Sequence, residues 1–81
     1  MMTKVSGLGE LRRKRGITQV QMAARLGVQQ PAVSKLERRP FSRLRLRTVR
    51  RYVEALGGEL SARIHMPDGE SRTLILPQVL G

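Results

Sequence analysis

Apolar positions along this chain follow a helical spacing up to about residue 58 and an alternating one beyond it. Leu8 and Leu11 lie three apart, and Ile17 continues their face beyond Gly16, which predicts a short first helix with Ser6 as its cap and Met1–Val5 as a loose start. Thr18 is the next N-cap, with Gln21 three residues on at capping-box spacing, and the helix it opens reaches about Leu26, turning Met22, Ala23 and Leu26 inward. A third helix starts near Gln29 or Gln30, accepts Pro31 in its first turn where a missing N–H costs nothing, and runs to about Arg38 before Pro40 stops it. Phe41–Arg45 is a basic connection with room for a helical turn. A last helix spans about Arg47–Leu56, with Leu46, Val49, Val53 and Leu56 as one buried stripe and Arg47, Arg50, Arg51 and Glu54 facing outward; Gly57 and Gly58 end it.

Beyond Leu60 the period changes to two. Leu60, Ala62, Ile64 and Met66 alternate with Ser61, Arg63 and His65, then Pro67-Asp68-Gly69 supplies turn chemistry, and Arg72–Leu76 forms a second strand closed by Pro77. The chain therefore divides into a helical domain over 1–58 and a β-hairpin over 59–81. A lone hairpin is marginal in water and exposes its edges. The expectation is that it pairs with its symmetry mate and serves as a dimerisation element; folding back on the chain's own helices is the alternative.

The segment from Thr18 to Glu37 carries the strongest signal. Ala23 is followed by Gly27 four residues later, Val33 six after that and Leu36 three further on. This is the skeleton of a helix-turn-helix: Ala23 lets the second helix approach the first, Gly27 takes the turn's positive φ, and Val33 and Leu36 pack the second helix back onto the domain. That second helix has the dimensions of a DNA major groove.

Composition narrows the partner. The 81 residues carry 16 Lys and Arg against 6 Asp and Glu, a formal net charge of +10, with no cysteine. A chain this short supports one small core without disulfides or thiolate metal sites, and such cores often gain from dimerisation. A pI near 11.8 fits a polyanion, DNA before RNA and both well before a membrane surface. GC-rich coding would explain arginine replacing lysine, but not the excess over acids. One Tyr and one Phe make no base-stacking platform, which argues against single-stranded nucleic acid. His65, the sole histidine, reads as an exposed strand residue. The acids are scattered, Gly7 and Gly9 stand alone rather than forming a phosphate loop, and no nucleophile–base pair or metal set is visible, so neither catalysis nor a cofactor or metal is expected. With no bilayer-length apolar run and no signal peptide pattern, the expected location is the cytoplasm.

Over about Leu8–Leu56, and most specifically over Gly16–Glu37, the chain resembles the XRE family of lambda-repressor-like helix-turn-helix proteins. Thr48–Gly58 followed by strands further resembles the small antitoxins of type II toxin–antitoxin operons, of the HipB and HigA kind. The resemblance implies a mainly α bundle of four to five helices with a C-terminal β-hairpin. It implies a sequence-specific, double-stranded DNA-binding repressor that acts as a homodimer on an inverted-repeat operator, autoregulates its operon and binds a cognate toxin protein. A stand-alone or phage-type repressor without a toxin is the alternative.

Residue by residue, the resemblance gives Gln19 a phosphate contact and places Gln29, Gln30, Pro31, Ser34 and Lys35 toward the groove, Gln30 reading adenine through two hydrogen bonds and Pro31 offering only apolar contact to a thymine methyl. Arg38, Arg39, Arg43 and Arg45 fall where the family grips the phosphate backbone. Arg12 and Glu37 match a buried structural ion pair joining the first helix to the recognition helix.

Overall fold

The computed structural model describes residues 7–75; the expectations placed on Met1–Val5, Ser6, Leu76 and Pro77 lie outside that range. Four α-helices are followed by an antiparallel hairpin: α1 (Leu8–Lys14), α2 (Gln19–Leu26), α3 (Gln30–Arg38), a 3₁₀ turn at Phe41–Arg43, α4 (Leu46–Ala55), β1 (Ser61–His65) and β2 (Ser71–Ile75). Local chemistry sets most boundaries. Thr18 Oγ1 accepts the Gln21 N–H at 3.1 Å while Gln21 Oε1 accepts the Thr18 N–H at 2.9 Å, a complete capping box. Gly27 closes α2 at φ 70, a left-handed conformation that a Cβ would strain. At the start of α1, Gly7 occupies the cap position and so supplies no side-chain cap of its own.

The core consists of Leu8, Met22, Ala23, Val33, Val49 and Tyr52, with Leu11, Ile17, Leu26 and Leu36 packed partly buried around it. α2 lies against α3 and α4, and α1 against α3. Two arginines tie α2 to α4 across their ends: Arg25 Nη1 donates to the Ala55 carbonyl at 2.9 Å, and Arg51 Nη2 approaches the Leu26 carbonyl at 3.5 Å. Both meet carbonyls in the last turn of a helix, where cations are favoured.

The inward face of α4 is rotated from the expected stripe. Val49 and Tyr52 are its buried residues, Val53 and Leu56 are half-buried, and Leu46 is 55% exposed. At 100° per residue Val49 and Tyr52 sit about 60° apart, and Leu46 lies a further ~60° from Val49 on the side away from Tyr52. Tyr52 wins the core position because its ring packs there and its hydroxyl finds a part-buried acceptor in Glu37. Arg47, Arg51 and Glu54 face solvent, whereas Arg50 is half-buried with an Nε that meets no hydrogen-bond partner among the described residues.

In the hairpin Ser61 pairs with Ile75, Ala62 with Leu74, Arg63 with Thr73, Ile64 with Arg72 and His65 with Ser71. Asp68 Oδ1 accepts the Glu70 N–H at 2.9 Å and shapes the turn. Only Ala62 and Leu74, facing each other across the ladder, are half-buried among the strand residues whose exposure is described. Ile64 and Met66 are 42% and 51% exposed, and His65 is exposed too. The apolar side of the hairpin is thus incompletely covered by its own helices.

Candidate nucleic-acid interface

At the centre of the helix-turn-helix lies one buried carboxylate. Glu37, near the end of α3, has a side chain only 7% exposed and is surrounded by four donors. Arg12 of α1 binds it through both oxygens, Nε to Oε2 at 2.7 Å and Nη2 to Oε1 at 2.9 Å. Tyr52 of α4 donates its hydroxyl to Oε2 at 2.6 Å, and Gln19 of α2 donates Nε2 to Oε1 at 3.1 Å. Arg12 also donates Nη1 to the Ile17 carbonyl at 2.8 Å, which uses a third edge of its guanidinium. All four helices therefore meet on one carboxylate, and the bidentate arginine gives the cluster fixed geometry.

The electrostatics follow from those contacts. Burial opposes ionisation of Glu37, but hydrogen bonds from Arg12, Tyr52 and Gln19 outweigh it and hold the carboxyl below the ordinary value of 4.5. Burial and the bond to Glu37 push the Tyr52 phenol well above its ordinary value of 10.0. A depressed carboxyl contributes stability that is fully present above about pH 4.5 and is lost as pH falls through its folded value. The raised phenol contributes stability that is present below pH 10.0 and lost as pH rises past it. Melting temperature followed from pH 7 to pH 2.5 will hold level and then drop below about pH 4.5, and Glu37→Gln will flatten that drop.

α1 reaches this cluster only because it carries a glycine where it crosses α3. A Cβ at Gly9 would stand 2.8 Å from Glu37 Oε1 and 2.9 Å from Arg13 Nη1. Arg13 can swing aside, but the Glu37 carboxylate is held by four donors and cannot. Gly9→Ala, which ordinarily favours a helix, will here destabilise the domain by about 1–3 kcal/mol in urea denaturation, as overpacking does. A stabilised variant would mean the helices part more readily than the contacts imply.

From this cluster a chain of amides leads to the surface. Gln19 gives its Nε2 to Glu37 and its Oε1 accepts from Gln30 Nε2 at 2.6 Å. Gln30 is the first residue of α3 and is exposed; Gln29 precedes it at the cap position, exposed, with its side chain making no capping bond. Pro31 and Lys35 are exposed on the same helix, while Ser34 is half-buried and accepts a long 3.4 Å contact from Arg38 Nη1. The polar face of α3 is left uncovered by the rest of the fold. Arg38, Arg39, Arg43 and Arg45 are all exposed. An open depression lined by Lys35, Arg38, Arg39, Pro40 and Arg43 brings three of these arginines together beside the end of α3. Arg45, at the cap position of α4, lies outside that lining.

Two members of this architecture carried no signal in the sequence. Tyr52 looked only like one of too few aromatics, and Gly9 like an isolated glycine. Both owe their roles to contacts with Glu37, 15 and 28 residues away, which no local pattern reports.

Two short helices joined at a left-handed glycine, with the second presenting an open polar face, define a helix-turn-helix protein, and the chain belongs to the helix-turn-helix family, whose model matches residues 8–62. It is homologous to HigA antitoxins. It is 41% identical over 61 residues to "Putative antitoxin HigA2" of Mycobacterium tuberculosis (strain ATCC 25618 / H37Rv), a match that covers 75% of this chain and 60% of that relative. A solved HigA antitoxin, described as bending DNA through a unique dimerization, is similar with a TM-score of 0.80 and 35% identity over 91% of this chain and 97% of its own. A DNA-bound HigA3 antitoxin is similar with a TM-score of 0.78 and 36% identity, over 89% and 92% respectively. Four helices followed by a two-stranded hairpin is the architecture shared with these structures.

Proposed function

We propose that this chain is a sequence-specific, double-stranded DNA-binding repressor that acts as a homodimer, the antitoxin of a type II toxin–antitoxin pair that represses its own operon in the cytoplasm. The observation that carries the reading is the uncovered polar face of α3, which starts at Gln29 and Gln30 and has arginines clustered beside its far end. The likeness to a DNA-bound HigA3 and to a dimeric, DNA-bending HigA supports it. No helix among the described residues is long and apolar enough to cross a membrane, in keeping with that location.

Gln29, Gln30, Pro31, Ser34 and Lys35 face base edges in this reading, and Gln19, Arg38, Arg39, Arg43 and Arg45 hold phosphates. The described structure leaves Gln30 with its Oε1 and one N–H unbonded, the acceptor–donor pair that an adenine edge requires. The hairpin is the dimerisation element: Ile64 and Met66 lie exposed on the side of the ladder shared with Ala62 and Leu74, and a second hairpin would cover them. Two-fold symmetry then calls for an inverted repeat with half-sites about one helical turn apart or slightly more. The role is binding rather than catalysis.

Footprinting on the gene's own promoter tests the repressor, and co-purification with the product of a neighbouring small gene tests the antitoxin role. Gln30→Ala will erase preference at one base pair of each half-site and cost about 1–3 kcal/mol. A footprint that ignores Gln30→Ala at every position would remove the glutamine from the groove.

A further inference from the structure

We infer that Glu37, although buried and away from any base, makes Gln30 select adenine over guanine, by fixing which way two side-chain amides point. This rests on the reading above that Gln30 faces the groove. The two ends of a glutamine amide are distinguished only by their bonds. Here the chemistry of the partners decides. An ionised carboxylate accepts and never donates, so Gln19 turns its Nε2 to Glu37 Oε1, at 3.1 Å. Its oxygen is thereby left facing Gln30, which answers with Nε2 at 2.6 Å.

Gln30 then retains its oxygen and one N–H. An adenine edge offers N6–H and N7, a donor and an acceptor, which match that pair; a guanine edge offers O6 and N7, two acceptors, one of which opposes the Gln30 oxygen. The polarity starts at Glu37, whose own ionised state is secured by Arg12 and Tyr52, at 2.7 and 2.6 Å. Glu37 and Gln19 are positioning residues for the reader.

The test uses the full chain and duplexes recovered by in vitro selection, each carrying all four base pairs in turn at the position where Gln30→Ala removes preference. The unaltered protein will favour adenine over guanine there by about ten- to hundredfold. Gln19→Met, which can neither donate to Glu37 nor accept from Gln30, will bring that ratio to within about threefold while leaving the ranking at other positions intact. Glu37→Gln, which places a donor where only acceptors stood, will level the ratio or turn it toward guanine. A purely structural Glu37 and a purely phosphate-binding Gln19 would weaken every duplex by a common factor at an unchanged ratio, and that result overturns the inference. Should Glu37→Gln fail to fold, Glu37→Asp takes its place, since it keeps the charge beside Arg12 but shortens the reach to Gln19; an unchanged adenine-to-guanine ratio in that variant overturns the role given to Glu37. In the free protein, one Gln30 side-chain amide proton will be shifted and slowed in exchange by NMR and will lose both features in Gln19→Met. If that signature is absent the relay is wrong; if it is present but Gln30→Ala leaves all base preferences unchanged, Gln30 does not read the groove and the selection by Glu37 falls with it.

Discussion

Glu37→Ala will leave the domain largely unfolded at moderate temperature. The substitution removes the single acceptor on which Arg12, Gln19 and Tyr52 converge. Arg12 has a side chain only 9% exposed and would keep one described acceptor, the Ile17 carbonyl. Breaking one side of a buried pair costs about 3–5 kcal/mol, because the surviving charge stays desolvated without compensation. A domain of this size has a total stability at the low end of roughly 5–15 kcal/mol. The expected fall in Tm is therefore roughly 15 °C or more, at about 4–8 °C per kcal/mol. Removing both partners together, as Arg12→Met with Glu37→Leu, will cost less than Glu37→Ala alone, since no charge is then stranded. Urea denaturation of Arg12→Met, of Glu37→Leu and of the pair measures this as a cycle. A Glu37→Ala cost below about 1 kcal/mol would show that the pair is wet and interchangeable, as at a surface.

The parts of this molecule that sequence reading reaches are those whose causes are local. Thr18 and Gln21 are three residues apart, and their spacing alone specifies the box that opens α2. Gly27 marks the turn because few other residues tolerate its φ of 70. The hairpin register follows from the Pro67-Asp68-Gly69 turn and the alternation on either side of it. The face of α4 is harder to read, because Leu46 and Tyr52 flank Val49 at about 60° on opposite sides and compete for the inward direction. Hydropathy favours leucine, whereas the partner that buries Tyr52 lies on another helix. The Arg12–Glu37 pair spans 25 residues and entered the reading only through family resemblance, with no periodicity to reveal it. Gly9 lay beyond both routes: its importance is an interhelical distance. In the candidate interface, the residue types on α3 were legible, but the amide relay that orients Gln30 was not. It joins positions 11 and 18 residues apart through a group that looked purely structural.

Raising salt will weaken operator binding far more than any single base contact can. Arg38, Arg39, Arg43 and Arg45 are exposed, and none has an ion pair among the described residues. No acidic side chain among the described residues pairs with them, so each is available to displace a condensed counterion from the duplex. With four such contacts per protomer, a dimer neutralises about eight phosphates, and log K should fall against log salt with a slope near −7. Between 50 and 200 mM monovalent salt the affinity should drop by roughly ten-thousandfold. Arg43→Ala, counted in both protomers, should reduce the slope by about 2 and weaken selected and unrelated duplexes alike. Gln30→Ala should do the converse, leaving the slope unchanged while flattening base preference. Fluorescence-anisotropy titrations across salt separate the two behaviours. A slope shallower than about −2 would mean that these arginines do not track the backbone, and an Arg43→Ala variant with altered base preference would place that side chain in the groove instead.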